Sequence, residues 1–235
     1  MQLAPPPGPR PTPPDLVVAL RDAADTLGHR PAVTLLRRGR REEQGMASLA
    51  QWAAKGSHLL EADLLLEPGD RLALRAPVGW GAAAVALAAW WAGLVVTLDG
   101  DAEVAVVHED LDPPPGAVDV LRLGDAVDGS PLGEDVAGEA WAQAVQSFPD
   151  HPPPARGHGQ AAALQWAGGA ATQRELIDRV GADAEGTLGV DAATIHPVEG
   201  LLAVAVRPLL TGRPTVVLDG VDREAAAGER VTHWA

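Results

Sequence analysis

Residues 163–176 read ALQWAGGAATQREL. An apolar run ends at Trp166, and two glycines follow at Gly168 and Gly169. Thr172 and Glu175 then carry the spacing of a capping box at the start of a helix. A strand that hands over to a helix through glycine is the repeating unit of an α/β fold. The same outline describes a phosphate-binding loop, in which small residues let backbone amides approach oxygen and a helix N-terminus adds a positive end. Such loops also present a cation to the outer phosphates. Here no lysine lies nearby, and Arg174 falls inside the predicted helix. The stretch therefore reads as a strand over 161–166, a tight turn, and a helix from 173 to about 182. Gly168, Gly169 and Thr172 remain as the candidate residues of a degenerate phosphate loop.

The flanking sequence repeats the strand–helix alternation. Asp15 is placed to cap a first helix with Leu16, Leu20, Ala23, Ala24 and Leu27 on one face. Ser48 is placed to cap a second. Residues 68–70, Pro-Gly-Asp, turn into a strand over 71–76. An Ala-rich helix over 79–92, a Gly93 cap and a strand over 94–98 come next. Short strands are predicted at 103–107, 118–123, 215–218 and 231–234. Helices are predicted around 139–146 and 198–209, with Pro208 ending or kinking the latter. The alternation argues for a layered α/β fold with a largely parallel sheet, whose ligands sit at the carboxyl ends of strands.

Composition narrows the functional classes. The chain has 235 residues, a formal net charge of −14 and no cysteine. Disulfides, thiolate metal sites and a cysteine nucleophile are excluded. Lys55 is the only lysine. So acidic a surface repels nucleic acid and anionic membrane, both of which need clustered cations. The one basic cluster, Arg37-Arg38-Gly39-Arg40-Arg41, runs straight into Glu42-Glu43 and reads as a solvated turn.

The N-terminus, MQLAPPPGPRPTPP, lacks the features of a signal peptide and reads as a Pro-rich disordered tail over 1–14. Residues 81–98 are uncharged and just reach spanning length, but Gly93 divides them and no basic residue flanks them, so a buried helix plus strand is expected rather than a membrane span. The expected location is cytoplasmic. Proline clusters at 5–14, 113–115 and 152–154 punctuate the chain.

Other motifs weigh little. Gly157-His158-Gly159-Gln160-Ala161-Ala162 imitates a dinucleotide fingerprint but precedes its strand instead of following it. His108-Glu109-Asp110-Leu111-Asp112 is metal-capable but lacks a partner cluster and reads as a solvated acidic loop. His196, before Pro197, reads as structural or exposed, and the tryptophans at 52, 80, 90, 91 and 166 as core. No metal and no catalytic residue is expected.

Several segments together resemble the N-terminal part of the adenylate-forming (AMP-binding) acyl-CoA synthetase superfamily, and within it a short actinobacterial branch. DLVVALRDAADTLGHRPAVTLL resembles the first helix and "RPAL" strand; SLAQWAAKGSHLLEADLLLEPGDRLAL resembles the segment ending "pGDrVal"; GWGAAAVALAAWWAGLVVTLD resembles the helix, glycine and strand beyond it. TQRELIDRV resembles the "THRNL" helix, and VEGLLAVAVRPLLTGRPTVVLDG the helix, glycine turn and strand after that. The resemblance implies that fold over 15–235, with helices on both faces of the sheet. It also implies a lost function. Active members carry (S/T)-S-G-T-T-G-x-P-K-G where this chain has AGGAA, with no Ser, Thr or Lys. The sequence ends at ERVTHWA, where active relatives continue into the adenine and ribose motifs and the domain with the catalytic lysine, so a truncated domain is expected.

The expectation is a non-catalytic protein, a pseudoenzyme without cofactor, that binds a protein partner, a second copy of itself, or an acyl or aryl ligand. The alternative is one half of a split synthetase that activates a carboxylic acid with ATP and magnesium together with another chain.

Overall fold

A computed structural model describes residues 12–37, 39–124, 132, 136–181 and 186–235. Residues 1–11 of the Pro-rich tail, Arg38 and Ala182 fall outside them. Helix α1 (Leu16–Leu27) starts where Asp15 accepts the N–H of Val18, and buries Leu16, Leu20, Ala23 and Leu27. Strand β1 (Pro31–Arg37) turns back as β2 (Arg40–Gly45), which leads directly into α2 (Met46–His58). Gly45 precedes that helix, and Ser48 lies inside its first turn rather than capping it. The start is set by Met46, which is buried and donates its N–H to the carbonyl of Arg30.

Strand β3 (Arg71–Arg75), helix α3 (Trp80–Ala92) and strand β4 (Val95–Thr97) follow. Twelve of the thirteen residues of α3 are buried, as expected of a helix apolar on all sides. Gly93 ends it at φ 81°, a left-handed conformation open to glycine. Then come β5 (Val104–His108), β6 (Asp119–Leu123), β7 (Glu139–Ala140) and α4 (Trp141–Ala144). The helix predicted around 139–146 is shorter because residues 139 and 140 pair with β6 at Leu121 and Arg122. Next are β8 (Ala162–Trp166), β9 (Gly169–Thr172), α5 (Gln173–Val180) and β10 (Thr187–Asp191). The helix predicted at 198–209 is a run from α6 (Pro197–Leu201) to α7 (Arg207–Thr211) through a wide π-turn at Leu202–Val206. Pro208 has no N–H to donate, and widening the preceding turn accommodates its ring. Strands β11 (Thr215–Asp219) and β12 (Val231–Trp234) complete the fold.

The strands form two sheets, not one, in the orders β12-β10-β11-β1-β2 and β7-β6-β5-β3-β4-β8-β9. All pairings are parallel except the hairpins β1–β2 and β8–β9. Helices lie between them: α3 packs on β3 and β4, α7 and α2 on β1, and α2 on α3. One core runs through both sheets, with Leu35 and Val217 from the first, Leu72, Leu74 and Val106 from the second, and Trp90 between. Among the described residues no helix is long and apolar enough to cross a membrane.

Candidate functional site: a closed hairpin tip beside an apolar cleft

The stretch quoted first does not pass from strand to turn to helix. It is a hairpin: β8 and β9 pair antiparallel, with Trp166 opposite Gly169 and Ala162 opposite Thr172. Ala167 and Gly168 alone form the turn. Gly169 begins the second strand and Thr172 ends it, capping α5. The glycines answer to packing. A Cβ on Gly168 would lie 2.8 Å from the indole nitrogen of Trp166, and one on Gly169 3.3 Å from the same ring. The guanidinium of Arg179 covers that ring at 5.6 Å.

Several of the groups that could hold a phosphate here are engaged within the chain. Asp99 accepts the N–H of Ala167 at 2.6 Å, which sets a carboxylate on the hairpin tip. At the start of α5, Gln173 donates its N–H to Ala161 and Arg174 to Gly159, both to backbone carbonyls. Glu175 donates its N–H to the Thr172 hydroxyl, and its carboxylate accepts from the Thr172 N–H at 2.8 Å and hydroxyl at 3.0 Å. Those bonds from Thr172 hold the Glu175 carboxyl below its ordinary pKa. The carbonyls of 159 and 161 come from the false dinucleotide motif, whose actual work is to cap this helix. Lys55 is held elsewhere, donating to the Phe148 carbonyl at 3.1 Å and meeting Asp150 at 3.0 Å.

Beside the tip, a cleft of about 520 Å³ opens at the carboxyl ends of β3 and β4 and the loop after β10. That is the expected place for a ligand in such sheets, and the volume suits a small one. Leu74, Val78, Leu98 and Ile195 give it an apolar lining, and Arg75, Asp99 and Asp112 add charge. Arg75 and Asp99 were not singled out in the sequence; their position just at or past strand ends was the available signal.

The remaining candidates are structural. His108 ends β5, is buried, and accepts the N–H of Asp110 at 3.3 Å. Among the described residues no group of three His, Asp or Glu side chains is placed to hold a metal ion. His196 accepts the N–H of Val198 at the start of α6. The basic cluster spans the end of β1, a turn at Gly39 and the start of β2, with Arg37 opposite Arg40; Arg37 pairs with Asp219, Arg40 with Glu42, and Arg41 with Glu43 and Glu229. Trp90 and Trp91 are buried as expected, and Trp52 and Trp166 pack against the core half-buried.

Comparison with known proteins agrees with this architecture. No protein-family model matches the chain. A TIGR03089 family protein of Mycobacterium tuberculosis is 40% identical over 73 residues, which is 31% of this chain and 30% of that protein. An acyl-CoA synthetase of Brucella canis superposes with a TM-score of 0.71 at 18% identity, over 92% of this chain and 46% of its own. A fatty acyl CoA synthetase of Mycobacterium tuberculosis gives 0.71 at 15% identity, over 92% of this chain and 48% of its own. The N-terminal domain of FACL13 from the same organism gives 0.70 at 15% identity, over 92% of this chain and 61% of that structure. The chain thus has the fold of the N-terminal part of acyl-CoA synthetases and spans less than half the length of the first two. The resemblance read from the sequence is borne out in that fold.

Proposed function

We propose that this chain is a non-catalytic relative of the acyl-CoA synthetases and that it binds a ligand with an acyl or aryl body in the cleft at the ends of β3 and β4. One observation carries the reading: the Ala167 N–H at the hairpin tip is held by the Asp99 carboxylate. Phosphoryl and adenylyl chemistry depends on positioned donors and cations that neutralise charge on the transferring group. Here the first available donor is capped by an anion, the Thr172 hydroxyl is committed to Glu175, and no lysine is near. A triphosphate placed on this tip would meet repulsion instead of compensation. In this reading neither ATP nor magnesium is a cofactor, and the cytoplasmic location expected from the sequence goes with it.

The test is pyrophosphate release from Mg-ATP with acetate, a medium-chain fatty acid and an aromatic acid. No release above the protein-free rate is expected. Sustained release would overturn the proposal. Release seen only after adding a second polypeptide would move the reading to half of a split synthetase.

A further inference from the structure

Leucine is an unexpected residue at position 65. Helix α2 runs on into a wide π-turn at Leu59–Asp63, and the chain leaves that turn through Leu65 at φ 54°. Glycine is the usual residue in this left-handed conformation at a helix end, because a Cβ there crowds the backbone. Leu64 and Leu66 donate their N–H groups to Leu59 and Leu60, each at 3.0 Å, and both side chains pack against the core. The Leu65 side chain between them is 74% exposed. The fold thus carries the strain of a leucine here and gains no burial from it.

Among the described residues only Val118, at 78%, is a more exposed large apolar side chain. One groove of about 430 Å³ joins the two. It opens at the amino ends of β3 and β5, so it lies at the other end of β3 from the cleft. Leu66, next to Leu65, and Ala102 are its apolar lining. Glu103, whose carbonyl accepts the Val118 N–H at 2.7 Å, lines it together with Asp70, Asp101 and Arg71. Three carboxylates therefore stand against one guanidinium. Among the described residues the carboxylates of Asp101 and Glu103 hold no hydrogen bond or ion pair. Asp63 and Asp119, both exposed, lie close to Leu65 and Val118 in the chain, and Arg156 is already shared between Glu61 and Glu67.

We propose that this face docks a segment of a partner protein in which lysine or arginine alternates with apolar residues. The apolar side chains cover Leu65 and Val118, and the cations meet Asp101 and Glu103 with their methylene stems against Leu66 and Ala102. Opposite potentials across the contact set its register and speed encounter. A second copy of the chain does not fit. An isologous contact would set the acidic face against itself, and Arg37, Arg40 and Arg41 are already paired with carboxylates of their own chain. Nucleic acid and anionic membrane carry the wrong sign of charge.

The experiment is fluorescence anisotropy of the purified chain with a labelled nine-residue peptide of alternating leucine and lysine, which spans about 30 Å when extended. Saturable binding is expected, at least tenfold tighter than that of the same peptide with serine for leucine or glutamate for lysine. Leu65→Gly should weaken it at least fivefold and leave the melting temperature equal or higher, because glycine relieves the left-handed residue. A leucine kept for the fold would instead lower the melting temperature when replaced, and that result overturns the proposal. Asp101→Asn combined with Glu103→Gln should weaken binding at least tenfold. Asp178→Asn combined with Glu224→Gln removes the same charge elsewhere on the chain and should weaken it less than twofold. If the groove double variant fails to fold, Leu65→Gly carries the test. Equal binding of the serine peptide, equal losses in the two double variants, or no saturable binding overturns the proposal. So does a dimer in sedimentation that Leu65→Gly dissolves, which would assign the face to a second copy.

Discussion

Asp99 and Ala167 stand 68 residues apart in the chain and meet through a 2.6 Å hydrogen bond from the Ala167 N–H to the Asp99 carboxylate. The bond ties the end of β4 to the tip of the β8–β9 hairpin. It places a negative charge where a phosphate-binding loop would present donors, at the mouth of the one apolar cleft singled out above. Replacing Asp99 with Ala should leave the hairpin paired but loosen its tip. A bond to an ionised group in a solvent-exposed position is worth about 1 kcal/mol. Amide hydrogen exchange at Ala167 should speed up severalfold, and exchange in β8 should be unchanged.

The capping box is a separate, local element of stability. Thr172→Ala removes the side-chain acceptor for the Glu175 N–H, and losing such a cap costs about 1 kcal/mol. For a chain of this length that is roughly 2–4 °C in melting temperature. Glu175 has a lowered pKa in the folded state, so its stabilising effect is present above the ordinary carboxyl range and is lost as pH falls through the folded value. Melting curves of the variant and parent should therefore differ less at pH 3 than at pH 7.

Gln173 joins three elements. Its side-chain oxygen accepts from the Leu16 N–H at 3.0 Å and its nitrogen donates to the Trp90 carbonyl at 2.9 Å, both buried. Gln173→Leu would strand the Leu16 N–H and leave the Trp90 carbonyl with the Gly93 N–H alone, at a cost of about 1–3 kcal/mol. Denaturant unfolding should show the midpoint falling with the slope unchanged.

Glu61 should make stability depend on pH in the opposite sense from Glu175. Burial raises its carboxyl pKa more than the neighbouring Arg156 lowers it, with one carboxylate oxygen buried and unbonded. A raised folded pKa means the folded state holds the proton more tightly than the unfolded state. The contribution is full below the ordinary carboxyl value and is lost as pH rises through the folded one. The melting temperature of Glu61→Gln minus that of the parent should therefore rise between pH 4 and pH 7. A constant or falling difference contradicts this assignment.

Much of the fold was legible because local signals agreed with it. Asp15, Gly93 and the Thr172–Glu175 pair each mark a helix end by side-chain chemistry alone. The all-apolar run of α3 could only be buried. What escaped was non-local. GAAT in β9 has little strand propensity and is a strand because β8 pairs with it. Gly168 and Gly169 resembled an anion loop, but they are small because the Trp166 ring lies over them. Arg37–Arg41 looked like a solvated turn alone, but Arg40 and Arg41 open a strand that runs to Gly45 and depends on β1 beside it. At the candidate site, Thr172 caps α5 as its spacing indicates, but Gly169 lies in β9 and not in a turn, and the bonds around the hairpin tip were invisible. They depend on Asp99, Gly159 and Ala161, which tertiary structure brings there.

The central claim is that the hairpin tip holds no nucleotide phosphate, and the most direct measurement is the melting temperature of the purified protein with and without millimolar Mg-ATP. A ligand that binds the native state at 100 times its dissociation constant adds about 2.7 kcal/mol. At this chain length that is a rise of roughly 5–10 °C. The account predicts no shift across the titration. A saturable rise, abolished by substituting Arg174 or by adding a bulky side chain at Gly168, would contradict it.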